Sequence, residues 1–178
     1  QQTIRSHLSE LLDIANGTGR RLSAMCKLTY GDLRLDQGPH GSIRWPASTD
    51  KSGRETTVPI SPQVRAALDR VFRDRPGIGD APLFPSPCDP TAPVPRNTAD
   101  KWLRKAETLA GLEPQEGSLW HAFRRGWVTA RKHMPDVDVA EAGGWKSLKA
   151  LRTAYQQPDE ATMLDVVLGG GELRERKA

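Results

Sequence analysis

Cysteine is nearly absent from the chain: Cys26 falls in an apolar helical stretch and Cys88 in a proline-rich segment. Such a pair builds neither a disulfide framework nor an all-cysteine zinc site, and a reducing cytoplasm is the expected setting. No run of 18 apolar residues occurs, and the opening QQTIRSHLSE lacks the apolar centre of a signal peptide. Also missing are a glycine-rich phosphate loop ending in Lys-Ser/Thr, a His-Glu-x-x-His helix and a dense Asp/Glu cluster for Mg²⁺. No cofactor and no metal are therefore expected. Neither sign of charge dominates: 26 Lys and Arg stand against 22 Asp and Glu, a net charge of +4. This balance permits a polyanionic partner without requiring one. A length of 178 residues favours one domain. The chain shows no internal repeat, and because it starts without Met and enters a helical pattern almost at once, it is expected to be a fragment of something longer.

What is present reads as mostly helical with one small sheet, an α+β chain. Ile4, Leu8, Leu11, Leu12 and Ala15 recur at helical spacing up to a stop at Asn16-Gly17, and a short helix carrying Leu22, Met25, Cys26 and Leu28 follows. From Asp32 to Ile60 the pattern shortens into LRLD, SIRWPA and TTVPI, separated by turn signals, which predicts a three-stranded antiparallel sheet. Ser61-Pro62 then opens a helix burying Val64, Ala67, Leu68, Val71 and Phe72. Six prolines between Asp80 and Arg96 predict a loop, after which Thr98 is expected to cap a helix through Ala110. Further helices are expected near Leu119 to Met134, Asp136 to Ala142, Ser147 to Tyr155 and Asp159 to Leu168. The glycines at 169 to 171 are expected to close the last of these, ahead of a mobile tail over 169–178.

The stretch LWHAFRRGWVTARKHM separates at 100° per residue into two faces. Phe123, Trp127, Ala130 and Met134 fall on one, and His121, Arg124, Arg125 and Val128 on the other. A solvated basic face is the ordinary account of such a pattern. Three further features accompany it. Arg20-Arg21 follow a glycine turn at the start of a helix, Lys51 lies in a hairpin before TTVPI, and Gly143-Gly144-Trp145-Lys146-Ser147 precedes Tyr155 by ten residues counted from the tryptophan.

In this order Arg21, Lys51, His121, Arg124, Trp145 and Tyr155 resemble the catalytic set of the tyrosine site-specific recombinases and phage integrases. Val58-Pro59-Ile60 after the lysine hairpin and Leu83-Phe84-Pro85 before the Thr98 helix extend the resemblance, which runs from about Leu8 to Leu168. It implies that residues 1–168 form a catalytic domain with this family's fold, joined in relatives to an N-terminal DNA-clamping domain not seen in this chain. The implied partner is double-stranded DNA, bound by a homo-tetramer of the full-length protein, with the isolated domain a monomer and the setting a bacterial or phage nucleoid. Arg54, Arg125 and Lys146 join Arg21, Lys51 and Arg124 as the expected DNA contacts.

The chemistry fits the residue types. A phosphodiester under attack gathers charge on its nonbridging oxygens, which Arg21 and Arg124 would clamp bidentately. Tyr155 would be the nucleophile, His121 its proton partner, Lys51 the acid that protonates the departing 5′ oxygen, and the Trp145 indole a further donor. Three features depart from the family pattern: Ala24 where an acidic residue is usual, a Trp145–Tyr155 interval one residue long, and the doublets Arg20-Arg21 and Arg124-Arg125. A strand-relaxing type IB topoisomerase and a catalytically silent DNA-binding relic are the rival readings.

Overall fold

A computed structural model describes residues 6–49, 53–113, 119–154, 158 and 160–175. The chain begins with α1 (Leu8–Thr18), which turns Leu11, Ile14 and Ala15 inward, and α2 (Leu22–Cys26). The stop of α1 is Gly19 rather than Asn16-Gly17: Gly19 adopts φ 61° and its N–H donates to the Ala15 carbonyl. This left-handed cap closes a helix where a side chain would be strained. A single 3₁₀ turn over Tyr30–Asp32 leads into β1 (Leu33–Arg34), β2 (Ser42–Trp45) and β3 (Thr56–Pro59). They form the expected three-stranded antiparallel sheet in the order β1-β2-β3, with Ile43 facing Leu33 on one side and Val58 on the other.

The helix α3 (Pro62–Asp74) starts as its sequence predicts, with Ser61 Oγ accepting from the Val64 N–H at 3.3 Å. Its Val64, Ala67, Leu68 and Val71 make the i, i+3, i+4, i+7 stripe that packs onto α1. The proline-rich segment is tied down. Leu83 N–H donates to Leu28, Val94 N–H to Phe84 and Ser86 N–H to Ala92, with Phe84 and Val94 buried. This brace launches α4 (Arg96–Leu109) at Arg96, so Thr98 lies in the first turn instead of capping it. Pro95 has the extended backbone of a cap residue, and its carbonyl already accepts from the N–H of Ala99.

Among the described residues four helices follow: α5 (Leu119–Thr129), α6 (Asp136–Gly143), α7 (Leu148–Ala154) and α8 (Glu160–Glu175). α5 ends five residues before Met134, which is exposed, and α8 continues through the three glycines that were expected to end it. Glycine weakens a helix interior without obliging it to stop. One core joins α1 to α4, the sheet and the start of α5 around Leu11, Ile14, Trp45, Leu68, Phe84 and Trp120. A second, smaller core of Trp127, Val128, Val139, Ala140, Trp145 and Leu151 joins the end of α5 to α6 and α7. Among the described residues no helix is long and apolar enough to cross a membrane.

Candidate active site

The seam between the two cores is built largely from arginines. Gly19 turns the chain between α1 and α2 against the Trp127 ring, where an added Cβ would come within 2.5 Å of it. The turn presents Arg20 and Arg21 in opposite environments. Arg20 is 3% exposed and its guanidinium donates to the carbonyls of Ala142 and Glu141, both at 2.9 Å, and to Thr56 Oγ1 at 2.8 Å. It also lies 4.9 Å from the centre of the Trp45 ring. Arg20 thus fastens β3, α6 and the turn together. Both arginines border a cavity of about 60 Å³ that Ser23, Arg96, Trp120, His121 and Arg124 also line, and there Arg21, half-buried, donates to the Gly144 carbonyl at 3.3 Å.

A solvated basic face, the ordinary account of this pattern on α5, does not describe Arg124. It is 2% exposed, and Val128 on the same side is fully buried, so this face closes the seam while Arg125 remains exposed. The Arg124 guanidinium donates to the carbonyls of Gly19, Gly143 (2.7 Å) and Gly144 (3.5 Å) and lies 3.3 Å from the Trp145 ring centre. Trp145 in turn stacks on Trp127 at 6.1 Å and 13° between planes, and the Trp127 N–H donates to the Gly17 carbonyl at 3.1 Å. Gly143 is required for the stack, because a Cβ there would lie 1.9 Å from the Trp145 ring.

Like charges gather here because α6 ends here. Its last carbonyls, with that of the left-handed cap Gly144, accept from Arg20, Arg21 and Arg124. The negative end of a helix dipole offsets part of their mutual repulsion. His121 feels the same cations. Burial first, then the charges of Arg124, Arg96, Arg125 and Arg21, hold its pKa below the ordinary histidine value. The imidazole is therefore neutral near pH 7 and can accept a proton.

Of the six residues singled out in the sequence, Arg21, His121 and Arg124 line one cavity, while Trp145 lies beneath Arg124 with its indole nitrogen enclosed. Lys51 and Tyr155 fall outside the described residues. Among the other expected DNA contacts, Arg125 and Lys146 are exposed, and Arg54, also exposed, sits 3.6 Å from Glu141. Sequence reasoning missed Arg96, whose only signal was its place after Pro95 at the start of a helix. It also missed the α6 carbonyls, since backbone acceptors leave no side-chain signature. Among the described residues no group of three or more His, Cys, Asp or Glu side chains is placed to hold a metal ion.

Helices packed around a three-stranded antiparallel sheet in this way define the fold of tyrosine-recombinase catalytic domains. Residues 1–162 match the model of the phage integrase family, and the chain belongs to that family. Among solved structures it is similar to XerA recombinase, with a TM-score of 0.71 and 17% identity over 92% of this chain and 56% of that one. XerH site-specific recombinase bound to its difH substrate in a pre-cleavage complex gives 0.65 and 21%, over 85% of this chain and 43% of that one. A lambda integrase dimer bound to a COC′ core site gives 0.62 and 16%, over 89% and 56%. The chain spans about half the length of these structures, and at such identities the likeness is one of fold. No curated protein matches the sequence.

Proposed function

We propose that residues 1–168 are the catalytic domain of a site-specific DNA recombinase that cleaves and rejoins DNA through Tyr155. The observation that carries this reading is the meeting of Arg21, from the turn after α1, with His121 and Arg124, from α5, around one small cavity with no carboxylate among the side chains lining it. One water needs roughly 10–15 Å³ of such space, so a cavity of about 60 Å³ has room for a group of phosphate size. Arg21 and Arg124 hold the nonbridging oxygens, and their forked donors stay charged throughout. Neutral His121 accepts the phenolic proton as the Tyr155 oxygen attacks phosphorus.

The bond from phosphorus to the 5′ oxygen breaks, Lys51 protonates that oxygen, and the products are a 3′-phosphotyrosine and a free 5′ hydroxyl. Attack by another 5′ hydroxyl reverses the step and completes strand exchange. One phosphoester replaces another, so the cations of the cavity suffice and no nucleotide is consumed. Trp145, expected from the resemblance to donate to the phosphate, has its indole nitrogen enclosed, and its role here is to support Arg124 from below. Arg54, Arg125 and Lys146 contact flanking DNA. The full-length protein works as a tetramer on DNA, the isolated domain being a monomer. α8, with Met163, Leu164, Val166, Val167 and Leu168 exposed, is the element we assign to contact with a neighbouring protomer.

The test uses the protein from its full reading frame, nicked duplexes covering the flanks of its gene, EDTA in the buffer, and a denaturing gel. A covalent protein–DNA band that disappears in Tyr155→Phe is expected. DNA binding without any such band would instead favour the silent DNA-binding relic.

A further inference from the structure

Arg96 lines the same cavity as Arg21, His121 and Arg124, yet neither the sequence motifs nor the mechanism above uses it. Its position is fixed from outside the site. The bonds from Leu83 to Leu28 and from Val94 to Phe84 tie the proline-rich segment into the main core, so α4 begins at the cavity's edge. The side chain is 59% exposed and holds Asp100 only loosely, at 3.7 Å. Such a surface pair is weak and easily exchanged for another anion.

Arg96 lines the cavity yet keeps most of its side chain exposed, so it can reach a phosphate next to one seated between Arg21, His121 and Arg124. We propose that Arg96 is a positioning residue that binds the phosphodiester next to the scissile one and so seats the scissile phosphate between Arg21, Arg124 and His121. This inference rests on the recombinase reading. Its charge also reaches His121, which faces Arg124 and Arg125 on α5, Arg21 ahead of α2, and Arg96 on α4. Removing Arg96 therefore lets the imidazole protonate at higher pH.

The experiment compares wild-type, Arg96→Gln and Arg96→Lys full-length proteins. One lost contact to B-DNA lowers the slope of log K against log salt by about 0.9. The affinity deficit of Arg96→Gln should accordingly shrink roughly 3-fold between 50 and 200 mM salt. Arg96→Lys should restore the wild-type slope, since a point charge is enough for a counterion-releasing contact. The acid limb of strand cleavage should move to higher pH in Arg96→Gln, with the melting temperature unchanged. A wild-type salt slope in Arg96→Gln overturns the proposal, as does a slope that Arg96→Lys fails to restore. The two readings fail separately: wild-type protein without a covalent adduct counts against the recombinase reading, while the salt slope still reports on Arg96.

Discussion

Arg20 and Arg21 share a turn and a side-chain type but not a role. Arg20 is a buried cation with acceptors on two other elements, and such contributions are not additive, the loss of a charged hydrogen bond costing roughly 1.5–3 kcal/mol. Arg21 faces a cavity and adds little to packing. Arg20→Gln should therefore lower stability by roughly 2–3 kcal/mol. At ~2–4 °C per kcal/mol for a chain of this size, that is a fall in melting temperature of roughly 4–12 °C. Arg21→Gln should melt close to wild type and lose on the order of 10²–10³ in cleavage rate, the usual cost of removing a donor to a developing oxyanion. Thermal melts beside the adduct assay decide it; a stable Arg20→Gln and an unstable Arg21→Gln would exchange the two roles. The Gly144 carbonyl accepts from Arg21, which gives that arginine an orienting partner although position 24 carries no acid.

Glycine has opposite effects in α5 and α6. Gly143 packs against Trp145 so closely that a methyl group cannot enter without moving the ring on which Arg124 rests. Gly126, in the middle of α5, has nothing within 4 Å of the position a Cβ would take. Gly143→Ala should cost roughly 1–3 kcal/mol from overpacking and reduce cleavage with it. Gly126→Ala should gain up to about 1 kcal/mol from helix propensity alone. Urea denaturation measures both, and a destabilised Gly126→Ala would mean that the exposed face of α5 is covered by something else.

At the scale of the whole molecule, the two cores differ in size. The first buries side chains from α1 to α4 and the sheet, while the second joins only the end of α5 to α6 and α7. They are tied by α5, which has Trp120 in the first and Trp127 and Val128 in the second, and by the polar contacts of Arg20, Arg124 and the Trp127 indole. Local opening follows the density of buried apolar contact, so α6 and α7 should exchange their amides through a lower-energy opening than α1 and α3. Native-state hydrogen exchange can test this, and equal protection of the four helices would mean that the arginine seam holds as firmly as the larger core. A seam that opens separately would let the cations move onto DNA without unfolding the domain that carries them.

The sequence by itself determined most of the elements and the family. Apolar spacing marked α1, α3 and α5, Ser61-Pro62 marked the start of α3, and alternation between turn signals marked the sheet, because these are local consequences of backbone period and capping. The order and type of a few residues also exposed the family, which the match over residues 1–162 shows. The tertiary structure decided which arginine of each doublet is buried. Arg20 and Arg124 are buried, against the usual behaviour of arginine, because carbonyls of Glu141, Ala142, Gly143 and Gly144 meet them from more than a hundred and from about twenty residues away. It also decided that Arg96 joins the cavity. Those acceptors are backbone groups present at every position, and only the fold determines which of them end together at one seam.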